Sequence, residues 1–142
     1  MGPEDRPLGL ARDEEAPSSL AMMRPANPGA IAEIRHAAID FAAAHGAGAD
    51  LLDDLALAVS EATTNAVKHA QTPAIDGVVE MAASVSGSWL ELRIRDRGLG
   101  FGTQESDGLG LGLPLIASLA SELRIRQEGH GTEVQMRFVI GP

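Results

Sequence analysis

The sequence predicts an α+β fold: a two-layer α/β sandwich in which a mostly antiparallel sheet carries helices on one face. Three observations point there. Two long segments of helical periodicity follow one another over residues 27–70, with no strand pattern between them. Two pairs of strand-like segments come later, each pair joined by a tight glycine-containing turn. Regular βαβ alternation, the mark of a doubly wound parallel sheet, is missing.

Each element has its own local cause. Residues 1–17 hold Pro3, Pro7 and Pro17, five acidic residues, two arginines and few apolar anchors, the composition of a disordered acidic tail. The folded domain then spans residues 18–142. Ser18 to Arg24 reads as an edge strand, punctuated by Pro25 and Pro28. Asn27 is placed to cap a helix whose first position is Pro28, where the missing proline N–H removes a donor that would lack a helical partner anyway. Ile31, Ile34, Ala38 and Phe41 recur at three- and four-residue steps until Gly46 and Gly48 stop the pattern. A second helix opens at Asp50 and runs to about Ala70, with Leu51, Leu55, Val59, Ala62 and Ala66 along one side.

Pro73 and Gly77 mark the loop behind that helix. Val78–Val85 and Trp89–Asp96 read as strands around Ser86-Gly87-Ser88. In the second, Leu90, Leu92 and Ile94 alternate with Glu91, Arg93 and Arg95, so one face is buried. A glycine-rich stretch, Gly98 to Gly112, leads into a short helix ending near Glu122. Strands at Leu123–Glu128 and Thr132–Ile140 flank a turn at Gly129-His130-Gly131.

Composition narrows the function. At 142 residues the chain is one domain by length. Hydrophobic residues make up 44 % and aromatics only 3 %, leaving the core to Leu, Ile, Val and Ala. A formal charge of −9 argues against binding to a nucleic-acid backbone, which needs Lys and Arg against phosphate. Without cysteine there is no disulfide, thiolate metal site or cysteine nucleophile. The four histidines form no tight metal-binding spacing. No apolar run approaches the roughly 20 residues of a membrane span, and no secretory signal is visible, so a soluble cytoplasmic protein is expected.

Glu61 and Asn65 stand four residues apart, which stacks carboxylate and carboxamide on one helical face. Glu61 can accept a proton from a hydroxyl or water. Asn65 can give a hard oxygen to Mg²⁺, which binds through few protein ligands plus phosphates and water. Read alone, the pair is also what a solvated helix face looks like. Its setting among Ala58, Ala62, Ala66 and Ala70 leaves room for something to lie against the helix.

Asp96 ends a strand beside Gly98 and Gly100, where backbone without side chains allows close approach of a flat ligand. An ordinary Asp-Arg-Gly turn has the same appearance. A dinucleotide fingerprint fails, because Thr103 stands where its third glycine belongs. Gly110 and Gly112 sit where a helix is expected to begin, so free N–H groups there would suit phosphate; a flexible loop is the alternative. No Gly-Lys-Ser/Thr occurs, so there is no Walker A loop.

Taken in order, these segments resemble the gyrase, histidine-kinase and heat-shock-chaperone ATPase superfamily, and within it the small anti-sigma-factor serine/threonine kinases of bacteria. Glu61-Ala-Thr-Thr-Asn65-Ala-Val-Lys-His69-Ala70 is similar to their N-box, Asp96-Arg-Gly-Leu-Gly-Phe101 to the first glycine box and Gly110-Leu-Gly-Leu113 to the second. Gly131-Thr132 matches a closing motif, and the resemblance covers about Ser18 to Ile140.

The resemblance implies a Bergerat-type fold, a mixed sheet with helices on one face. It implies that Asn65 binds Mg²⁺ and that Glu61 activates the attacking hydroxyl. Asp96 would hydrogen-bond the adenine amino group with support from Thr132. Gly98 and Gly100 would shape the adenine pocket, and Gly110 and Gly112 would cradle the phosphates of ATP or ADP. His69 would be structural. Members withhold a sigma factor from RNA polymerase and phosphorylate a serine on an anti-anti-sigma protein. Many form homodimers. Neither direct nucleic-acid contact nor a membrane is implied.

One departure stands out. There is no Lys or Arg between Arg97 and Arg124, whereas kinase members commonly set a basic residue near the γ-phosphate. Asp107 adds negative charge there. A regulatory module that binds nucleotide without phosphotransfer is therefore the alternative reading.

Overall fold

The computed structural model describes residues 17–70, 77–96, 105–128 and 131–140, with backbone alone at 105–111 and 128. The glycine box at Gly98 and Gly100 and the acidic segment 1–16 lie outside the described residues. In chain order the elements are β1 (Ser19–Pro25), α1 (Pro28–Ala44), α2 (Ala49–Ala70), β2 (Val78–Ser86), β3 (Trp89–Asp96), α3 (Glu105–Leu119), β4 (Glu122–Glu128) and β5 (Gly131–Val139).

The expected α+β, two-layer architecture is what the chain adopts. Five strands form one sheet in the order β1-β2-β3-β5-β4. All four ladders are antiparallel, so among the described residues the sheet has no parallel pair.

Helix α1 starts as its sequence dictates. The Ala30 N–H donates to Asn27 Oδ1 at 3.2 Å, and Pro28 fills the first turn. Its other end closes with the Ala47 N–H on the Ala42 carbonyl and the Gly46 N–H on the Ala43 carbonyl. That pair of bonds requires the left-handed φ of 95° found at Gly46.

The core lies between α1, α2 and the sheet. Ile34, Ala38 and Phe41 of α1 and Leu55, Val59 and Ala62 of α2 are buried against Met81, Leu90, Leu92, Ile94, Met136 and Phe138. The stripe Ala58, Ala62, Ala66 and Ala70 belongs to this core. The room left by those small side chains is taken by the protein itself, not kept for a ligand.

The second glycine segment departs from expectation. Helix α3 begins at Glu105, so Gly110 and Gly112 lie inside it and not ahead of its first turn. The helix ends at Leu119, and Glu122 already opens β4. Ile116, fully buried, and the partly buried Leu113 and Leu119 pack this helix against the core, which outweighs a propensity cost of about 1 kcal/mol per glycine. Pro114 interrupts the same helix. It has no N–H for the Gly110 carbonyl, so the ladder is broken at that residue.

The edges of the sheet are blunted. The Ser18 carbonyl accepts from the Val85 N–H, which by alternation leaves the N–H and C=O of Ser19, Ala21 and Met23 facing outward. Arg24 donates to the Met23 carbonyl at 2.8 Å, and Pro25 has no N–H to offer. The other edge, β4, carries Glu122, Arg124 and Arg126, all exposed. Among the described residues no helix is long and apolar enough to cross a membrane.

Candidate nucleotide site

Glu61, Asn65 and His69 recur every four residues on α2, forming one stripe that spans about 12 Å at 1.5 Å per residue. Asn65, in the middle, is 4 % exposed. Its Nδ2 is buried with no hydrogen-bond partner among the described residues. Such an orphan costs about 1–3 kcal/mol, and natural sites tolerate it where a ligand completes the bond.

Helix α3 closes on this stripe at Gly112. A Cβ there would lie 2.7 Å from Glu61 Oε1, 3.2 Å from Glu61 Cβ and 3.5 Å from Asn65 Nδ2. A methyl group there would have to displace the Glu61 side chain. The second glycine box therefore meets the Glu61–Asn65 pair through a helix interior and not a helix N-terminus. Gly110 lies in the same helix, where only its backbone is described.

Asp96 closes the other end of the stripe. It shares the buried parity of Leu90, Leu92 and Ile94, which aims it at the helical layer, and it is 1 % exposed. Its Oδ2 lies 3.9 Å from His69 Nδ1. Thr132, also buried, has the parity of Val134, Met136 and Phe138. Register pairs Arg95 with Glu133 and Ile94 with Val134, so continuing the ladder sets Thr132 opposite Asp96 on the same face. Gly131 allows the close approach, since a Cβ there would stand 2.5 Å from the Asp96 carbonyl.

Two groups of polar side chains on the buried side of the sheet are thus defined: a carboxylate and hydroxyl at the strand ends, and a carboxamide with a carboxylate on α2. A carboxamide presents a donor on one side and an acceptor on the other. Asn65 can donate to a phosphate oxygen or, turned over, give its oxygen to a hard cation. Among the described residues no group of three His, Cys, Asp or Glu side chains could hold a metal by itself. A metal bound here would need phosphate and water ligands as well, which is the habit of Mg²⁺.

His69 is the residue whose place the residue pattern left unassigned. Its signal was present as the next step of the Glu61–Asn65 spacing, but its partner comes from a strand distant in sequence.

The profile of the histidine kinase-like ATPase domain matches residues 24–138. The chain belongs to the histidine kinase-like ATPase family. Domains of this family bind ATP, and the match contains every candidate residue. No curated protein matches the chain. Among solved structures, the RsbU and RsbW domains of Rv1364c from Mycobacterium tuberculosis superpose with a TM-score of 0.69 at 24 % identity. That match covers 87 % of this ATPase domain but 33 % of the other chain, and it shows a shared fold.

Proposed function

We propose that this ATPase domain is a Mg-ATP-dependent protein serine/threonine kinase that also sequesters a sigma factor, with an anti-anti-sigma protein as its phosphorylated partner. The observation that carries the nucleotide part is the buried orphan carboxamide of Asn65, set against Glu61 and Gly112 in a family whose domains bind ATP. The RsbW domain in the superposed structure supports the choice of kinase class.

In this reading Asp96 and Thr132 hold the adenine, with Gly98 and Gly100 shaping its pocket. Gly110 and Gly112 would cradle the phosphates, and Asn65 would hold Mg²⁺. The metal, when bound, would supply charge neutralisation at the phosphates. Glu61 would take the proton of the incoming serine or threonine hydroxyl while that hydroxyl oxygen forms the new bond to the γ-phosphorus and the bond to the ADP leaving group breaks. Incubation with labelled ATP, Mg²⁺ and candidate partner proteins tests this. A labelled partner that Glu61→Ala abolishes supports it; undiminished labelling by Glu61→Ala refutes the base assignment.

A second reading, nucleotide-dependent partner binding without transfer, has its own observation. Among the described residues no Lys or Arg forms an ion pair with Glu61. Arg93, Arg95, Arg124, Arg126 and Arg137 lie on the sheet face away from the helices, and Arg35 is hydrogen-bonded to Ser60 Oγ at 3.3 Å. Association that depends on nucleotide, with no phosphoprotein under any divalent metal, selects it.

A further inference from the structure

The helices cover one face of the sheet, and the other face is open. Along β1 and β2 the open face is floored by Ser19, Ala21, Ala82 and Ser84, whose small side chains leave a trough. Two hollows of about 520 and 270 Å³ run together along it, sharing Ala21, Ala82 and Arg93 in their lining. Glu91, Arg93 and Arg95 of the next strand form the inner wall, and Met23, 53 % exposed, stands at the far end. The near end, at Ser19, is where the chain enters the domain. There His45 Nε2 donates to the Pro17 carbonyl at 2.7 Å, which fixes the point from which residues 1–16 depart.

We infer that this trough is the docking site of the chain's own residues 1–16, which lie over it as a tethered acidic ligand and shield the open face from other proteins. Charge complementarity singles out this occupant. The segment carries Glu4, Asp5, Asp13, Glu14 and Glu15 against Arg6 and Arg12. The open face is where the domain gathers its cations. Register places Arg93, Arg95, Arg124, Arg126 and Arg137 on it, five of the eleven basic residues in a chain of net charge −9. Four glutamates share the face, so it is near neutral while the rest of the domain repels an acidic segment. Arg93, beside the trough, uses its Nε on Glu91 Oε2 at 2.8 Å, and among the described residues its two Nη groups make no hydrogen bond. Those groups can receive a second carboxylate.

Length agrees with this occupant. From Pro17, Arg93 lies about 13 Å along the strands and about 10 Å across two strand spacings. Asp13, Glu14 and Glu15 are the residues nearest the departure point, within about 14 Å of extended chain, so their carboxylates come first to the inner wall of the trough. The whole segment, extended, spans roughly 50 Å. That is enough to run the length of the trough and set Leu8 and Leu10 over Ala21, Ala82 and the exposed Met23.

The full chain tests this, since without native cysteine a Gly9→Cys variant takes a nitroxide label at one position. In amide proton–nitrogen spectra the label is expected to broaden Ala82 and Arg93 and to leave Arg35 and His36 of α1, in the helical layer, sharp. Changing Asp13, Glu14 and Glu15 together to lysine should cut that broadening about threefold. A mixture of labelled protein with isotope-enriched wild type should show no broadening, because the contact lies within one chain. Broadening in the mixture would give the trough to a second copy and overturn the proposal. Sharp Ala82 and Arg93 amides in the labelled chain would leave it to another protein and overturn it too. So would broadening that the lysine changes do not alter, the mark of a segment that only hangs near its departure point.

Discussion

His69 Nδ1 lies 3.9 Å from Asp96 Oδ2, which brings the last turn of α2 against the end of β3. The distance is too long for a hydrogen bond, so the two groups meet as packed neighbours. His69 therefore limits where the buried carboxylate can point without touching the other end of the stripe. His69→Ala should weaken ATP binding by about tenfold through a mis-set Asp96, the loss of one modest polar interaction. Any phosphotransfer rate at saturating ATP should stay within twofold. Titration calorimetry with steady-state kinetics separates the two effects; a fall in kcat at unchanged affinity would contradict this role.

Gly112 sets two effects against each other. A methyl group inside helix α3 favours the helix by about 1 kcal/mol. The same methyl would stand 2.7 Å from Glu61 Oε1 and 3.2 Å from Glu61 Cβ. The carboxylate tip can swing aside, but Cβ cannot, so the crowding costs about 1–3 kcal/mol. Gly112→Ala is expected to change stability by no more than about 2 kcal/mol while displacing Glu61 and removing phosphotransfer. Thermal melts beside a transfer assay check it. Full activity with a raised melting point would show that α3 does not press on Glu61.

Asn27 provides a control outside the candidate site. Its Oδ1 accepts from the Ala30 N–H at the start of α1. Asn27→Ala should cost about 1 kcal/mol in urea unfolding and leave nucleotide affinity unchanged. An affinity loss would mean that α1 takes part in the site.

Much of this fold was legible because its signals are local. Alternation in Trp89–Asp96 announced which face of β3 is buried, and Asn27-Pro28 announced a helix start. The site was legible in pieces for the same reason: four-residue spacing placed Glu61 and Asn65 on one face. What spacing could not supply was anything set by tertiary contact. Ala58, Ala62, Ala66 and Ala70 looked like space for a ligand because small residues fit a core equally well, and here the core takes them. Helix α3 reaches back to Glu105 through three glycines because packing outweighs propensity there, which no local rule reports. The His69–Asp96 approach needed the sheet register before it could be seen.

The central claim is that Asn65 serves nucleotide binding and Glu61 serves transfer. Removing the orphan carboxamide should cost the empty protein little, since a buried group without a partner is itself unfavourable. Calorimetric titration of wild type, Asn65→Ala and Glu61→Gln with Mg-ATP tests the division most directly. Saturable binding is expected to wild type and, within threefold, to Glu61→Gln, with binding lost in a folded Asn65→Ala protein. Equal binding by Asn65→Ala, or none by wild type, would contradict the claim.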